Sequence, residues 1–429
     1  MLFLYNILII LSLVILSPFI FYKLLTDKRY RTGLSERLGN IPDKVVADLK
    51  NPPLSLFAKG GDSEERPIWF HASSVGEVIA SQRLLDAIKG RWPDKKLLVS
   101  TFTPTGNKAA KEKLKADGVI FLPLDLPWVV NRAVKKVNPS ALILMETELW
   151  PNLIRKAGSM GIPVAVVNGR ISDRSYGKYW FISPLLRKVF CHIRAFLMQS
   201  GGDAQRIITL GAEPSRVTVT GNIKFDINAI DKGIGFMEIW GGPVLLAGST
   251  RSGEESPVLD VYKGLRERYP ALKLVLAPRH LDRVREVEGI LNEKGLKYVR
   301  RSEVSEKIES SILLLDTLGE LASFYKYGTI VFVGGTLVPV GGHNILEPAS
   351  YGRPVLFGPH IENFRDSARI LEESGGGVRV NNAEELKSRI DRLLADDDLC
   401  GMTGDRAKQA VLQNRGATEM TIDGILKIF

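Results

Sequence analysis

The chain has 429 residues, 45% of them hydrophobic and 25% charged, enough for two domains with ordinary cores and without signs of long disorder. Fifty-eight Lys and Arg against 48 Asp and Glu leave a net charge of +10 and a pI near 9.4; nucleic acid, an acidic membrane surface and a phosphorylated substrate all fit that sign. The two cysteines, Cys191 and Cys400, lie far apart without partner motifs, which excludes a disulfide framework and a zinc site.

Leu2 to Tyr22 is almost wholly apolar, interrupted by Asn6, Ser12, Ser17 and Pro18. At about 1.5 Å per residue such a helix just spans a bilayer core of about 30 Å. Lys23, Lys28, Arg29, Arg31 and Arg37 follow it and no Lys or Arg precedes it. The positive-inside tendency then places the N-terminus outside and the rest of the chain in the cytoplasm. A cleaved signal peptide is the competing reading, but it lacks a basic leading region and a small-residue cleavage site. Residues 1–23 are therefore expected to be a transmembrane anchor, and a membrane surface rather than nucleic acid the anionic partner. Residues 24–67 are expected to give a basic amphipathic stretch at headgroup level, then a linker from Asn51 to Pro67 carrying Pro52, Pro53, Gly60 and Gly61.

Short apolar runs then alternate with helical patterns. Ile68 to Ala72, Leu97 to Thr101, Val119 to Leu122, Ala141 to Met145 and Pro163 to Val167 read as buried strands, with helices such as Val78 to Arg91 and Lys108 to Asp117 between them. The pattern restarts after a Gly-rich zone, Asp226 to Gly242. Val244 to Gly248, Leu272 to Ala277, Ser311 to Asp316, Thr329 to Val333 and Pro354 to Phe357 form the second set. The expected fold is α/β: two tandem Rossmann-like, doubly wound domains, residues 68–235 and 236–404, with ligands beyond the strand carboxyl ends and a cleft between the domains. Residues 405–429 read as a terminal helix that packs back on the first domain.

Strand ends carry the chemistry. Ser73-Ser74-Val75-Gly76-Glu77 follows the first strand; Glu77 fits half of a capping box with Ser74, and equally a general base facing the ligand edge. Glu146-Thr147-Glu148 ends another strand; these carboxylates either bind substrate or are solvated loop charges paired with arginines. Arg170 and Lys224 bring cations that suit an anionic sugar or a phosphate. In the second domain, Ser249 and Thr250 sit in a small hydroxyl-rich turn that suits phosphate, without the Gly-Lys-Ser/Thr element of a P-loop. Pro278-Arg279-His280 and Leu318-Gly319-Glu320 end two further strands. Gly334-Gly335-Thr336 runs into Gly341-Gly342-His343-Asn344-Ile345-Leu346-Glu347, where the glycines let backbone approach a phosphate and Asn344 and Glu347 can bond ribose hydroxyls. Asp396-Asp397-Asp398 is read as a solvated helix end, and no histidine spacing suggests a metal.

Taken together and in this order, His71 to Glu77, Glu146 to Pro151, Ala277 to His280 and Gly341 to Glu347 resemble the Kdo transferases, the 3-deoxy-D-manno-octulosonic acid transferase family of lipopolysaccharide synthesis in Gram-negative bacteria. The similarity runs over nearly the whole chain. It implies a GT-B fold, an inner-membrane location with cytoplasmic catalytic domains, and inverting transfer of Kdo from CMP-Kdo to a lipid A precursor (lipid IVA) without a cofactor or metal. It also implies that Glu77 accepts the proton, and that CMP is held at Pro278, Arg279, Leu318, Gly319, Glu320, Asn344, Ile345, Leu346 and Glu347. One position departs: Arg251 stands where family members often carry His.

Overall fold

A computed structural model describes residues 1–50, 66–227, 229, 233–304 and 306–428; most of the expected linker, 51–65, lies outside the described residues. The chain divides into two compact units, Met1–Ile223 with Gly416–Phe429 (unit 1) and Lys224–Arg415 (unit 2). The division falls earlier than residue 235, because Phe225 already belongs to the core of unit 2 and Ile223 to that of unit 1.

Unit 1 holds β1 (Ile68–His71), β2 (Leu97–Thr101), β3 (Gly118–Phe121), β4 (Ala141–Met145), β5 (Val164–Gly169), β6 (Ala195–Met198) and β7 (Val217–Val219). They form one parallel sheet in the order β3-β2-β1-β4-β5-β6-β7. Unit 2 holds β8 (Val244–Thr250), β9 (Lys273–Pro278), β10 (Val299–Arg300), β11 (Ile312–Leu314), β12 (Ile330–Val333), β13 (Val355–Phe357) and β14 (Gly377–Arg379). Its parallel order is β10-β11-β9-β8-β12-β13-β14. Helices cover both faces of each sheet, so the central strands are buried on both sides and read as unbroken apolar runs. Chain direction across the sheet reverses beside β1 and β4 in unit 1, and beside β8 and β12 in unit 2. Those are the switch points at which such sheets open a crevice for ligands.

Local chemistry sets the helix starts. Ser74, extended, accepts from the Glu77 amide and starts helix Val75–Arg91 three residues before the expected Val78. Thr103 and Pro104 start helix Pro104–Lys113 in the same way. The expected single terminal helix is two. Asp396 caps Asp397–Gln413 through the Leu399 amide; Gly416, at φ 94°, then turns the chain into Ala417–Leu426. Ala417, Ile422 and Ile425 are buried in the core of unit 1 beside Val78, Leu85 and Leu197.

The N-terminal stretch also differs from the expectation. Leu2–Thr26 is one helix with no buried residue, long and apolar enough to cross a membrane at a mean hydropathy of 2.4. Residues 24–50, however, do not form a free amphipathic surface. Three short helices, Lys28–Arg31, Leu34–Arg37 and Asp43–Lys50, follow, and the last presses Val45, Val46 and Leu49 into the core of unit 1. Arg37 lies over the rings of Phe102 and Phe121, 5.2 and 4.6 Å from their centroids.

Candidate active site

In unit 1, the switch point collects three carboxylates. Glu77 sits in the first turn beyond β1. Its Oε2 accepts from the Ser73 amide at 2.8 Å and its Oε1 from the Ser74 hydroxyl at 2.8 Å. The capping interaction therefore forms, and it orients the carboxyl instead of competing with a chemical role. Burial first, then the negative charge of Glu146, pushes the Glu77 carboxyl up to about 7; the Ser73 and Ser74 bonds hold it down and Glu148 adds to the rise. A partly buried carboxyl that titrates near neutrality beside other carboxylates is poised as a general base.

Glu146 ends β4 with φ at 55°, a left-handed conformation that costs a non-glycine residue on the order of 1–3 kcal/mol. Its amide is fixed to the Val167 carbonyl at 2.8 Å. Glu148 accepts from Trp150 Nε1 at 3.1 Å and lies 3.8 Å from His71 Nε2. His71 is fully buried and turns Nδ1 to the carbonyl and hydroxyl of Ser100. Trp150 stacks on Phe102 at 5.6 Å. Thr147 ties this loop to the next: its Oγ1 accepts from the Arg170 amide at 3.0 Å and donates to the Arg170 carbonyl. The sequence places Glu77, Glu146, Glu148 and Arg170 at one edge, and the structure brings Glu146 and Glu148 close enough for their charges to act on Glu77.

In unit 2, the loops after β8 and β12 interlock through Glu254, which sequence reasoning missed. This fully buried carboxylate accepts four backbone amides: Arg251 (2.9 Å) and Gly335 (2.6 Å) on Oε2, Thr336 (3.0 Å) and Leu337 (2.8 Å) on Oε1. A signal was available, since Glu254 lies three residues after Arg251 at a helix start, the spacing of a capping box. Gly334 lies so close to β8 that a Cβ would sit 2.5 Å from the Thr250 Cα. The glycine pair thus serves close backbone packing and the turn at Gly335 (φ 69°).

Around this frame the expected contacts sort themselves. Arg279 follows Pro278 at the end of β9, exposed, with its amide on the Thr250 carbonyl at 3.0 Å. Asn344 Nδ2 donates to Glu347 Oε1 at 3.0 Å and Asn344 Oδ1 accepts from the Leu346 amide at 3.1 Å. Burial raises the Glu347 carboxyl, opposed by the Asn344 bond and the Arg279 charge. The buried Tyr325 phenol is raised by burial and then by Glu347, while Arg279 and a bond to Ser249 act the other way, so Ser249, Arg279 and Glu347 share one neighbourhood. Ile345 and Leu346 are buried, which leaves their backbone for any ligand. Leu318 is 83% exposed and Gly319 turns at φ 82°; Glu320 is held by Arg301 at 3.0 Å and by the Thr317 hydroxyl. Thr250 is fully buried, so its hydroxyl is not presented to a ligand as the sequence suggested. Lys224 lies 5.8 Å over the Phe364 ring.

Arg251 completes a cationic cluster. Its guanidinium donates to His343 Nε2 at 3.1 Å and meets His280 Nε2 at 2.6 Å. Burial and the charges of Arg251 and Arg279 lower the His343 imidazole to about 4; burial and the same arginines lower His280. Both rings are therefore neutral at pH 7 and act as acceptors that aim Arg251. Among the described residues, no carboxylate lies within ion-pair distance of Arg251 or Arg279.

The family model of 3-deoxy-D-manno-octulosonic-acid transferase (kdotransferase) matches residues 32–227. The 3-deoxy-D-manno-octulosonic acid transferase of Haemophilus influenzae is 35% identical over 425 residues, 96% of this chain and 96% of its own length. This chain belongs to the Kdo transferase family. The Kdo transferase of Aquifex aeolicus is 33% identical over 76% of this chain and 86% of its own. Among solved structures, UDP-GlcNAc 2-epimerase from Neisseria meningitidis bound to UDP-GlcNAc aligns with a TM-score of 0.57 at 14% identity, over 84% of this chain and all (100%) of that one. That likeness concerns the fold, two Rossmann-like units of the GT-B type. As a Kdo transferase the chain is a glycosyltransferase, and the sugar it moves is 3-deoxy-D-manno-octulosonic acid.

Proposed function

We propose that this Kdo transferase moves Kdo from CMP-Kdo to a hydroxyl of a phosphorylated lipid A precursor in lipopolysaccharide synthesis, with inversion, at the cytoplasmic face of the inner membrane. The observation that carries the proposal is Glu77, aimed by Ser73 and Ser74 and titrating near 7 beside Glu146 and Glu148. In its ionised form Glu77 takes the proton of the acceptor hydroxyl. The oxygen then forms a bond to the anomeric carbon as the bond from that carbon to the phosphate oxygen breaks, and CMP leaves with the electron pair. A single displacement inverts the centre and needs no second carboxylate as nucleophile.

Unit 2 supplies the donor site in this reading. Asn344 and Glu347 bond the ribose hydroxyls, and the backbone at Pro278, Leu318 to Glu320 and Ile345 to Leu346 lines the nucleotide. Arg279 and Arg251 meet the phosphate, so the charge developing on CMP is met by guanidinium groups and no metal is required. Turnover is accordingly expected to survive a chelator. Glu347→Ala should weaken CMP binding about tenfold or more, because a charge-assisted bond is worth about 1.5–3 kcal/mol; calorimetric titration with CMP checks this, and an unchanged affinity removes Glu347 from the ribose. Arg251→Ala should weaken CMP by a similar factor and leave cytidine binding unchanged, since only the phosphate is lost as a partner; an equal loss for both ligands contradicts the assignment.

The apolar helix Leu2–Thr26 supports membrane attachment, and the net charge of +10 suits a surface of anionic lipid. A donor panel tests the reading as a whole. Release of CMP from CMP-Kdo in the presence of acceptor is expected; turnover of UDP- or ADP-sugars alone would reject it.

A further inference from the structure

The start of the apolar N-terminal helix and the segment that follows it both dock on one part of unit 1. In its first turn, Tyr5 donates its hydroxyl to Asp125 at 2.8 Å, Asn6 Oδ1 accepts from Asn152 Nδ2 at 2.7 Å, and Leu2 and Tyr5 pack against the core of unit 1. These partners are built in: Asp125 and Asn152 are 6% and 3% exposed, and Asp125 also accepts the Asn152 and Leu153 amides that begin helix Pro151–Ser159. Beyond Thr26 the chain docks on the same loop. Gly33 lies against the Phe121 ring, and the Arg37 carbonyl accepts the Leu124 amide at 2.8 Å. Phe121, the last residue of β3, and Leu124 and Asp125 just beyond it lie within five residues of one another.

A helix that crosses a bilayer leaves its ends on opposite faces. Tyr5 and Thr26 are about 32 Å apart along the helix axis, the thickness of a hydrocarbon core. If the helix stood upright with unit 1 at its Thr26 end, Asp125 and Asn152 would have to reach the far headgroups to keep their bonds to Tyr5 and Asn6. The helix cannot remain in water either: Phe3, Val14, Ile15 and Phe21 are 78%, 63%, 66% and 64% exposed, and each such side chain costs about 1.5–3 kcal/mol outside an apolar medium. Two of its polar groups are already paired, the Asn6 amide oxygen with Asn152 and the Ser17 hydroxyl with the Val14 carbonyl at 2.7 Å. Immersion in acyl chains leaves those two groups paired. At the same edge Tyr30 and Trp128 are 44% and 54% exposed, with Lys28 and Arg31 exposed beside them. These are the residue types that settle at a headgroup boundary of anionic lipid.

We propose that Leu2–Thr26 does not span the membrane but lies within the leaflet nearest unit 1, and that the loop after β3 seats that unit against anionic headgroups. The proposal rests on the membrane attachment inferred above and fixes its geometry: residue 1 and unit 1 are on the same side.

The test uses the full-length chain in sealed membrane vesicles. A cysteine on a short Gly-Ser extension ahead of Met1 reports the helix start; native Cys191, exposed on unit 1, reports the catalytic side in the same sample. Both are treated with a membrane-impermeant maleimide and read separately by peptide mass spectrometry. Labelling of both cysteines from the same side of the vesicle, in either vesicle orientation, is expected. Labelling from opposite sides would overturn the proposal by establishing a span. Failure to sediment with membranes at all would instead overturn the attachment on which it rests.

Discussion

Glu254→Gln is expected to cost unit 2 on the order of 3–5 kcal/mol, the scale of a buried charge network broken on one side, although the side chains are nearly isosteric. Each Glu254 oxygen accepts two backbone amides. Whichever way the amide turns, its NH2 group faces two N–H donors, so two buried donors lose their acceptor and meet a third donor. At roughly 2–4 °C per kcal/mol for a unit of this size, thermal unfolding of unit 2 should fall by about 6–20 °C. The loops it joins carry Arg251 and the run from Gly335 towards Asn344, so CMP should bind weakly even below the transition. Scanning fluorimetry with and without CMP measures both effects. A wild-type transition that CMP still raises would show that the four bonds do not organise the nucleotide site.

Glu77→Gln is expected to lower the transfer rate by at least about 10² while CMP affinity stays unchanged. Gln retains the local frame, because its oxygen can accept from the Ser73 amide and its NH2 can donate to the Ser74 hydroxyl. What it loses is the proton acceptor. With the Glu77 carboxyl at about 7, the wild-type rate should rise through pH 7 and fall about tenfold per unit below it; the variant should lack that limb. Stability should move the opposite way. The folded carboxyl titrates above its ordinary 4.5, so the native state binds this proton more tightly than the unfolded chain does. The stabilisation is complete below about 4.5 and disappears as pH rises through about 7. Allowing for partial exposure, removing the charge should make Glu77→Gln more stable than wild type by on the order of 1–2 kcal/mol at pH 8, with little difference at pH 4. Equal stability at both pH values, or a wild-type rate in the variant, would return Glu77 to a purely capping role.

The fold was legible in the sequence because parallel strands covered on both faces print as short apolar runs bounded by turns; Leu97 to Thr101 and Ala141 to Met145 coincide with β2 and β4 residue for residue. Strands without that imprint escaped. β10 is two residues long, β7 is exposed at two of its three residues, and β6 (Ala-Phe-Leu-Met) lacks β-branched residues and reads as a continuation of the helix before it. The candidate ligand edge was legible through residues at strand ends, since in such sheets a strand end marks the crevice whatever the rest of the chain does. Arg251, His280 and His343 lie on three different loops, so their joining required the topology. Glu254 was obscured for the same reason: its four amide partners lie on two segments about eighty residues apart. The helix Leu2–Thr26 shows the limit of composition. Its apolar length declared a membrane partner, but the tether between Tyr5 and Asp125 depends on a loop 120 residues away.

The most direct test of the central claim is the mass of the lipid acceptor after incubation with CMP-Kdo and either wild-type enzyme or Glu77→Gln. Addition of Kdo by the wild type, and unmodified acceptor from the variant at equal CMP occupancy, is the expected result. An acceptor left unmodified by the wild type, or carrying Kdo after incubation with the variant at the wild-type rate, would contradict it.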